Sequence, residues 1–151
     1  MSRWLLSLAL ACAVGVCQAE PDPQIMTITR DADLQWQDNP HAPGLRQAVL
    51  FGDPSKPGLY VIRVRFPPGV MSSPHWHPEA RYVSVVKGTW WVGTGPVWDR
   101  SATTPLPAGS FAVHQPNKIH FDGAKDEEVI VQIVGIGPSG TVLVDASGAP
   151  R

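Results

Sequence analysis

Residues 69–88 read GVMSSPHWHPEARYVSVVKG, and this stretch decides how the rest of the chain is read. His75 and His77 are one residue apart, so on an extended strand both imidazoles leave the same face and can close on one ion. Pro74 and Pro78 flank the pair and restrict its backbone, which lowers the entropy lost when two ligands are held still. Two exposed histidines in a proline-rich loop would look the same in isolation. The surrounding pattern has to separate the two readings.

Working outward, that pattern is strand after strand. AVLFG at 48–52 and LYVIRVRF at 59–66 are divided by the turn formers DPSKPG. In the second run Tyr60, Ile62, Val64 and Phe66 share one face, and Arg63 and Arg65 take the other. RYVSVV, TWWVG, GSFAVH, IHFDG, EEVIVQIVGIG and TVLVD follow, with PPG, KG, GTGP, PLPAG, QPN and GPSG as turn signals around them. Beyond the N-terminus no window of a dozen residues has the apolar spacing of a helix. The expectation is an all-β, antiparallel barrel or sandwich over residues 48–151. An extension, residues 20–47, should pack on it, with a short strand at 25–29 and a loop laying Trp36 against the body.

Residues 1–19 read as a removable export signal. Arg3 precedes an apolar run from Leu5 to Val16, broken only by Ser7 and Gly15, and CQA at 17–19 offers the small residues that a signal peptidase recognises. Cleavage after Ala19 would send the protein to the periplasm or outside the cell. Both cysteines, Cys12 and Cys17, lie in this segment, so the mature chain would have no disulfide available. With a net charge of −1, the chain has no basic surplus for nucleic acid, nor for an anionic membrane after signal cleavage.

A second histidine group, His114 and His120, lies about forty residues after the first, separated by QPNKI. A hairpin across those five residues would set His114 opposite His120. Only His41 falls outside these two strand-bound pairs. Nucleophilic serine chemistry is excluded on motif grounds, because no G-x-S-x-G is present. Asp122, two residues after His120, is positioned either to orient a ligand imidazole or to lie in a surface turn.

The placing of Gly69, His75, His77 and Gly88 resembles the first motif of the cupin superfamily, and Gly109 with His120 resembles the second. The resemblance spans about residues 48–138 and implies an antiparallel jelly-roll barrel in which both motifs meet inside. It also implies a divalent metal (Fe, Zn, Cu, Ni or Mn) bound by His75, His77 and His120, with His114 as a fourth ligand. Many cupins pair through apolar strand faces, so a homodimer is compatible with it.

Two departures matter. In the second motif's turn Asn117 stands where the family has glycine, and asparagine tolerates the left-handed backbone conformation. In the first motif Arg81 stands where a metal-binding glutamate is usual. Three arrangements follow from that change. The three histidines suffice; or a further ligand comes from His114 or, less well placed, Glu79; or Arg81 holds an anionic small molecule in place of the metal. A structural Arg81, paired with Glu79 or Asp99, is the plainer reading. Trp90 and Trp91 are adjacent on one strand, so only one can face a cavity, where Trp90 would contact a small-molecule ligand. The resemblance implies a metal-dependent dioxygenase or isomerase acting on a small organic molecule. The alternative is a non-catalytic periplasmic binder of a small ligand or metal.

Overall fold

The computed structural model describes residues 20–39 and 42–151; the expected signal segment and His41 lie outside the described residues. Apart from a single 3-10 turn at Asp31–Asp33, the regular structure is all strand: β1 Gln37–Asp38, β2 Arg46–Phe51, β3 Gly58–Phe66, β4 His75–Trp76, β5 Arg81–Lys87, β6 Thr89–Thr94, β7 Thr104–Pro107, β8 Phe111–His114, β9 His120–Gly123, β10 Val129–Gly137 and β11 Val142–Leu143. They form two antiparallel sheets, ordered β1-β2-β3-β10-β5-β8 and β11-β4-β9-β6-β7. This is the jelly-roll arrangement expected from the sequence.

The alternation in β3 does what the pattern required. Tyr60, Ile62, Val64 and Phe66 are buried and face Val83, Val85, Trp90, Val129, Val131 and Ile133 in one apolar cluster. Each such side chain contributes about 1.5–3 kcal/mol when fully buried. The β3–β10 ladder runs unbroken from Val129↔Phe66 to Gly137↔Gly58 and forms the spine of the larger sheet. Gly135 lies beneath Tyr60 on this ladder. A Cβ there would come within 2.5 Å of the Tyr60 hydroxyl, so only glycine lets the phenol lie flat and reach toward the barrel mouth.

Three local expectations need correction. Residues 25–29 form no strand: Ile25 is 83% exposed and Met26 56%, because no neighbouring edge pairs with them. Thr104–Pro107, read as turn, pairs with β6 as an edge strand, where proline's missing N–H costs no ladder bond. Most important, β8 and β9 do not form a hairpin. β8 pairs with β5 in one sheet, and β9 pairs with β4 and β6 in the other, so the connection crosses between sheets. Within it Asn117 adopts φ 60°, the left-handed conformation foreseen for it, and its N–H donates to the carbonyl of His77 at 2.7 Å. The Trp36 expectation holds, with the Arg65 guanidinium stacked 4.1 Å above its ring.

Candidate metal centre

Each sheet contributes one cross-strand pair to the space between them. In the smaller sheet His75 sits opposite His120; in the larger, Arg81 sits opposite His114. These side chains turn inward toward one another, and His77 lies two residues after His75 on the same side. The ring centroids of His114 and His120 are 3.8 Å apart, those of His75 and His120 4.4 Å, and those of His75 and His77 4.8 Å. Four histidines split between two sequence regions thus form a single buried cluster.

Hydrogen bonds set the chemistry of three of these rings. Nδ1 of His75 donates to the Ser73 carbonyl at 2.7 Å, Nδ1 of His77 to the Gly140 carbonyl at 2.7 Å, and Nδ1 of His120 to the Lys118 carbonyl at 3.0 Å. A carbonyl only accepts, so the proton must reside on Nδ1 and the lone pair of each neutral ring on Nε2. Ligating atoms of His75, His77 and His120 lie within 4.8 Å of one another. Two ligands each about 2.1 Å from a shared ion are at most about 4.2 Å apart, so small ring rotations close this set.

His77, His114 and His120 are also held neutral. Burial, the Arg81 charge and the neighbouring His75 push His77 far below the ordinary imidazole range. Burial and the proximity of His120 lower His114 to about 3, and burial likewise lowers His120. Low proton affinity leaves the lone pairs free for a metal. Nε2 of His120 and both ring nitrogens of His114 are buried with no hydrogen-bond partner. An unpaired buried polar group costs about 1–3 kcal/mol, and an ion in the cluster would satisfy it. By donor type, tautomer and orphaned nitrogens, the residues fit a divalent metal.

Arg81 is buried where a carboxylate would be usual, but its charge is already matched. Nε donates to Glu79 Oε1 at 3.0 Å, and Nη2 donates to the Ser139 hydroxyl and, at 3.1 Å, to the Gly140 carbonyl. The Tyr60 hydroxyl donates to Glu79 Oε1 at 3.2 Å and the Gly140 N–H to Oε2 at 3.3 Å. Burial pushes the Glu79 carboxyl up, but the Ser139 hydrogen bond and the Arg81 charge outweigh this and hold it below its ordinary range. The pair is therefore neutral as a whole, although the guanidinium still lies close enough to His77 to lower its proton affinity. Of the two partners proposed for Arg81, Glu79 is the one found; Asp99 caps its own turn through Ser101.

A cavity of about 110 Å³ opens on this cluster, bounded by His75, His77, His114, Arg81 and Asp122 and by an apolar wall of Val64, Phe66, Val131 and Ile133. A second cavity of about 220 Å³ lies beyond Arg81, against Gln47, Ile62, Ser139 and Thr141. Trp90 lines neither. Its indole is fully buried behind His114, with ring centroids 5.5 Å apart, while Trp91 faces outward under the Lys125 ammonium. Glu79 reaches Arg81 but neither cavity.

Of the two places open to Asp122, surface turn or site, the structure shows the second: it is buried, accepting from the Ser72 hydroxyl at 2.6 Å. The signal that would have settled it is the one used for His75 and His77: residues 120 and 122 are two apart on a strand and share a face. Ser139 and Gly140, whose backbone and hydroxyl hold both Arg81 and His77, carry no such signal.

Comparison with known proteins agrees with this geometry. Residues 24–139 match the ChrR cupin-like domain, and the chain belongs to that family. No curated protein matches the chain. Among solved structures, it is similar to the polyketide cyclase RemF from Streptomyces resistomycificus, with 15% identity and a TM-score of 0.63 over 80% of this chain and 87% of that one. A cupin-2 domain from Rhodospirillum rubrum gives 14% identity and a TM-score of 0.64 over 81% and 82%. The DMSP lyase DddQ from Ruegeria pomeroyi gives 17% identity and 0.60 over 74% and 61%. At these identities the likeness establishes the fold.

Proposed function

We propose that this ChrR cupin-like protein is exported and holds one divalent metal through His75, His77 and His120, with His114 beside them, and that it acts on a small organic molecule in the adjoining cavity. The observation that carries the reading is the set of three imidazoles whose Nδ1 protons are committed to backbone carbonyls and which each bring a ligating nitrogen within 4.8 Å of the others. A bound ion with open positions would supply Lewis acidity or dioxygen chemistry to a coordinated oxygen. The apolar wall takes the body of the molecule, and burial keeps bulk water from it. Arg81, anchored by Glu79, fixes the loop that carries the His77 acceptor.

A metal-dependent dioxygenase or isomerase is the finer form of this proposal. The polyketide cyclase and the DMSP lyase among its structural relatives are a precedent for reactions of small molecules on this fold. A non-catalytic binder is the second reading. It is favoured by one observation: among the described residues Asp122 is the sole carboxylate lining the histidine cavity, and Ser72 already occupies one of its oxygens.

The test is elemental analysis of the untagged protein purified from the periplasmic fraction, beside the His75→Ala/His77→Ala variant. One ion per native chain is expected, with affinity lowered at least about 100-fold in the variant, since loss of mere supporting partners already costs 10–100-fold. Absence of metal from the reconstituted native protein would overturn the reading. Recovery of the chain solely from the cytoplasm, with residues 1–19 intact, would overturn export.

A further inference from the structure

The three-histidine set leaves two buried groups unexplained. His114, 8% exposed, has no partner for either ring nitrogen. Asp122, 6% exposed, receives the Ser72 hydroxyl on Oδ1 and, among the described residues, makes no hydrogen bond through Oδ2, while its side chain lines the histidine cavity. Both stand next to His120: the His114 ring is 3.8 Å away, and Asp122 is two residues along the same strand and on the same face. Ligating atoms of His114, His120 and Asp122 lie within 4.8 Å of one another, as close as those of the three-histidine set.

We propose that His114, His120 and Asp122 form a second metal position that shares His120 with the first, so that one ion per chain occupies one position or the other. This deepens the proposed metal site and rests on it. His120 can bind only one ion, because its Nδ1 is committed to the Lys118 carbonyl and only Nε2 is left. The two positions differ in kind. The first offers three neutral nitrogens, which suit copper, nickel or zinc. The second is two histidines and a carboxylate, the donor set of non-haem iron(II) sites, with the harder oxygen that manganese also accepts. The carboxylate absent from position 81 is thereby supplied from the opposite sheet, and Ser72 is the group that positions it.

Titration of Mn2+, Co2+ and Cu2+ into metal-free protein tests this, read by calorimetry and by the visible spectrum of bound Co2+. Native protein should bind one ion per chain. The His75→Ala/His77→Ala variant, weakened overall, should still bind one ion, with its preference moved toward Mn2+ over Cu2+. Adding Asp122→Asn should lower that residual affinity at least tenfold and change the Co2+ spectrum, while circular dichroism stays native because the amide oxygen can still accept from Ser72. A folded double variant that binds no ion, or an Asp122→Asn change without effect, would overturn the second position and leave the three-histidine site standing. Two ions per native chain would overturn the sharing of His120. If native protein binds neither ion nor Cu2+, both readings fall together.

Discussion

His75 and His77 come from one short stretch of chain; His114 and His120 come from strands in different sheets that exchange no hydrogen bond. The first pair leaves one face of the chain, its rings 4.8 Å apart and edge-to-face at 70°. The second is opposed, two rings meeting across the barrel at 3.8 Å. A site closed on several sides needs both, because same-face ligands converge from one direction only. The pairs also differ in how they are held. His75, His77 and His120 are each anchored by a backbone carbonyl, whereas His114 is fixed by packing against Trp90 and has no hydrogen bond.

The largest test of this contrast removes the support on the His114 side. Glu79 and Arg81 are a buried pair, with side chains 12% and 11% exposed. Glu79→Gln should therefore destabilise the fold by about 3–5 kcal/mol in urea unfolding, since it strands a buried cation beside four imidazoles. Combining it with Arg81→Met should restore most of that loss. No recovery in the double variant would mean that Arg81 matters for its bonds to Ser139 and Gly140 and not for its charge.

Acid gives the next effect. His77, His114 and His120 bind protons less readily folded than unfolded, with His114 lowered to about 3 against an unfolded value near 6.5. Folded pKa values below the unfolded ones mean stability that is complete above about pH 6.5 and is lost as pH falls toward 3. The melting temperature of the metal-free protein should drop steadily between pH 7 and 4. A flat profile would show that the imidazoles take up protons in place, as exposed rings would.

The smallest effect separates the anchored rings from the unanchored one. His114→Leu should raise the stability of the metal-free protein by about 1 kcal/mol, because it removes two desolvated nitrogens without breaking a bond. His75→Leu should lower it by a similar amount, since the Ser73 carbonyl loses its donor. Equal shifts in chemical denaturation would remove the distinction.

How much of this was legible in the sequence depends on distance along the chain. Period-two alternation in 59–66 and 81–86, and the shared face of His75 and His77, depend only on neighbours and were readable. So was the left-handed Asn117, because few residues other than glycine adopt that conformation. The partner of β8 was not readable. A five-residue connection between two strands suits a hairpin and a crossing between sheets equally well locally, and the antiparallel pairing of Phe111–His114 with β5, which buries His114 alone, decides it. The clamp on Arg81 joins residues nearly sixty positions apart and left no local trace.

The Glu79–Arg81 pair also constrains how this chain can change over time. Placing a glutamate at position 81 through Arg81→Glu alone would set two carboxylates two residues apart in a desolvated pocket, and a further metal-binding carboxylate would be tolerated there only with Glu79 replaced as well. Losing Glu79 first would leave Arg81 buried without its counterion. Each single change thus leaves a desolvated charge unmatched, whereas changing both positions together does not, so residues 79 and 81 behave as one unit of two charges.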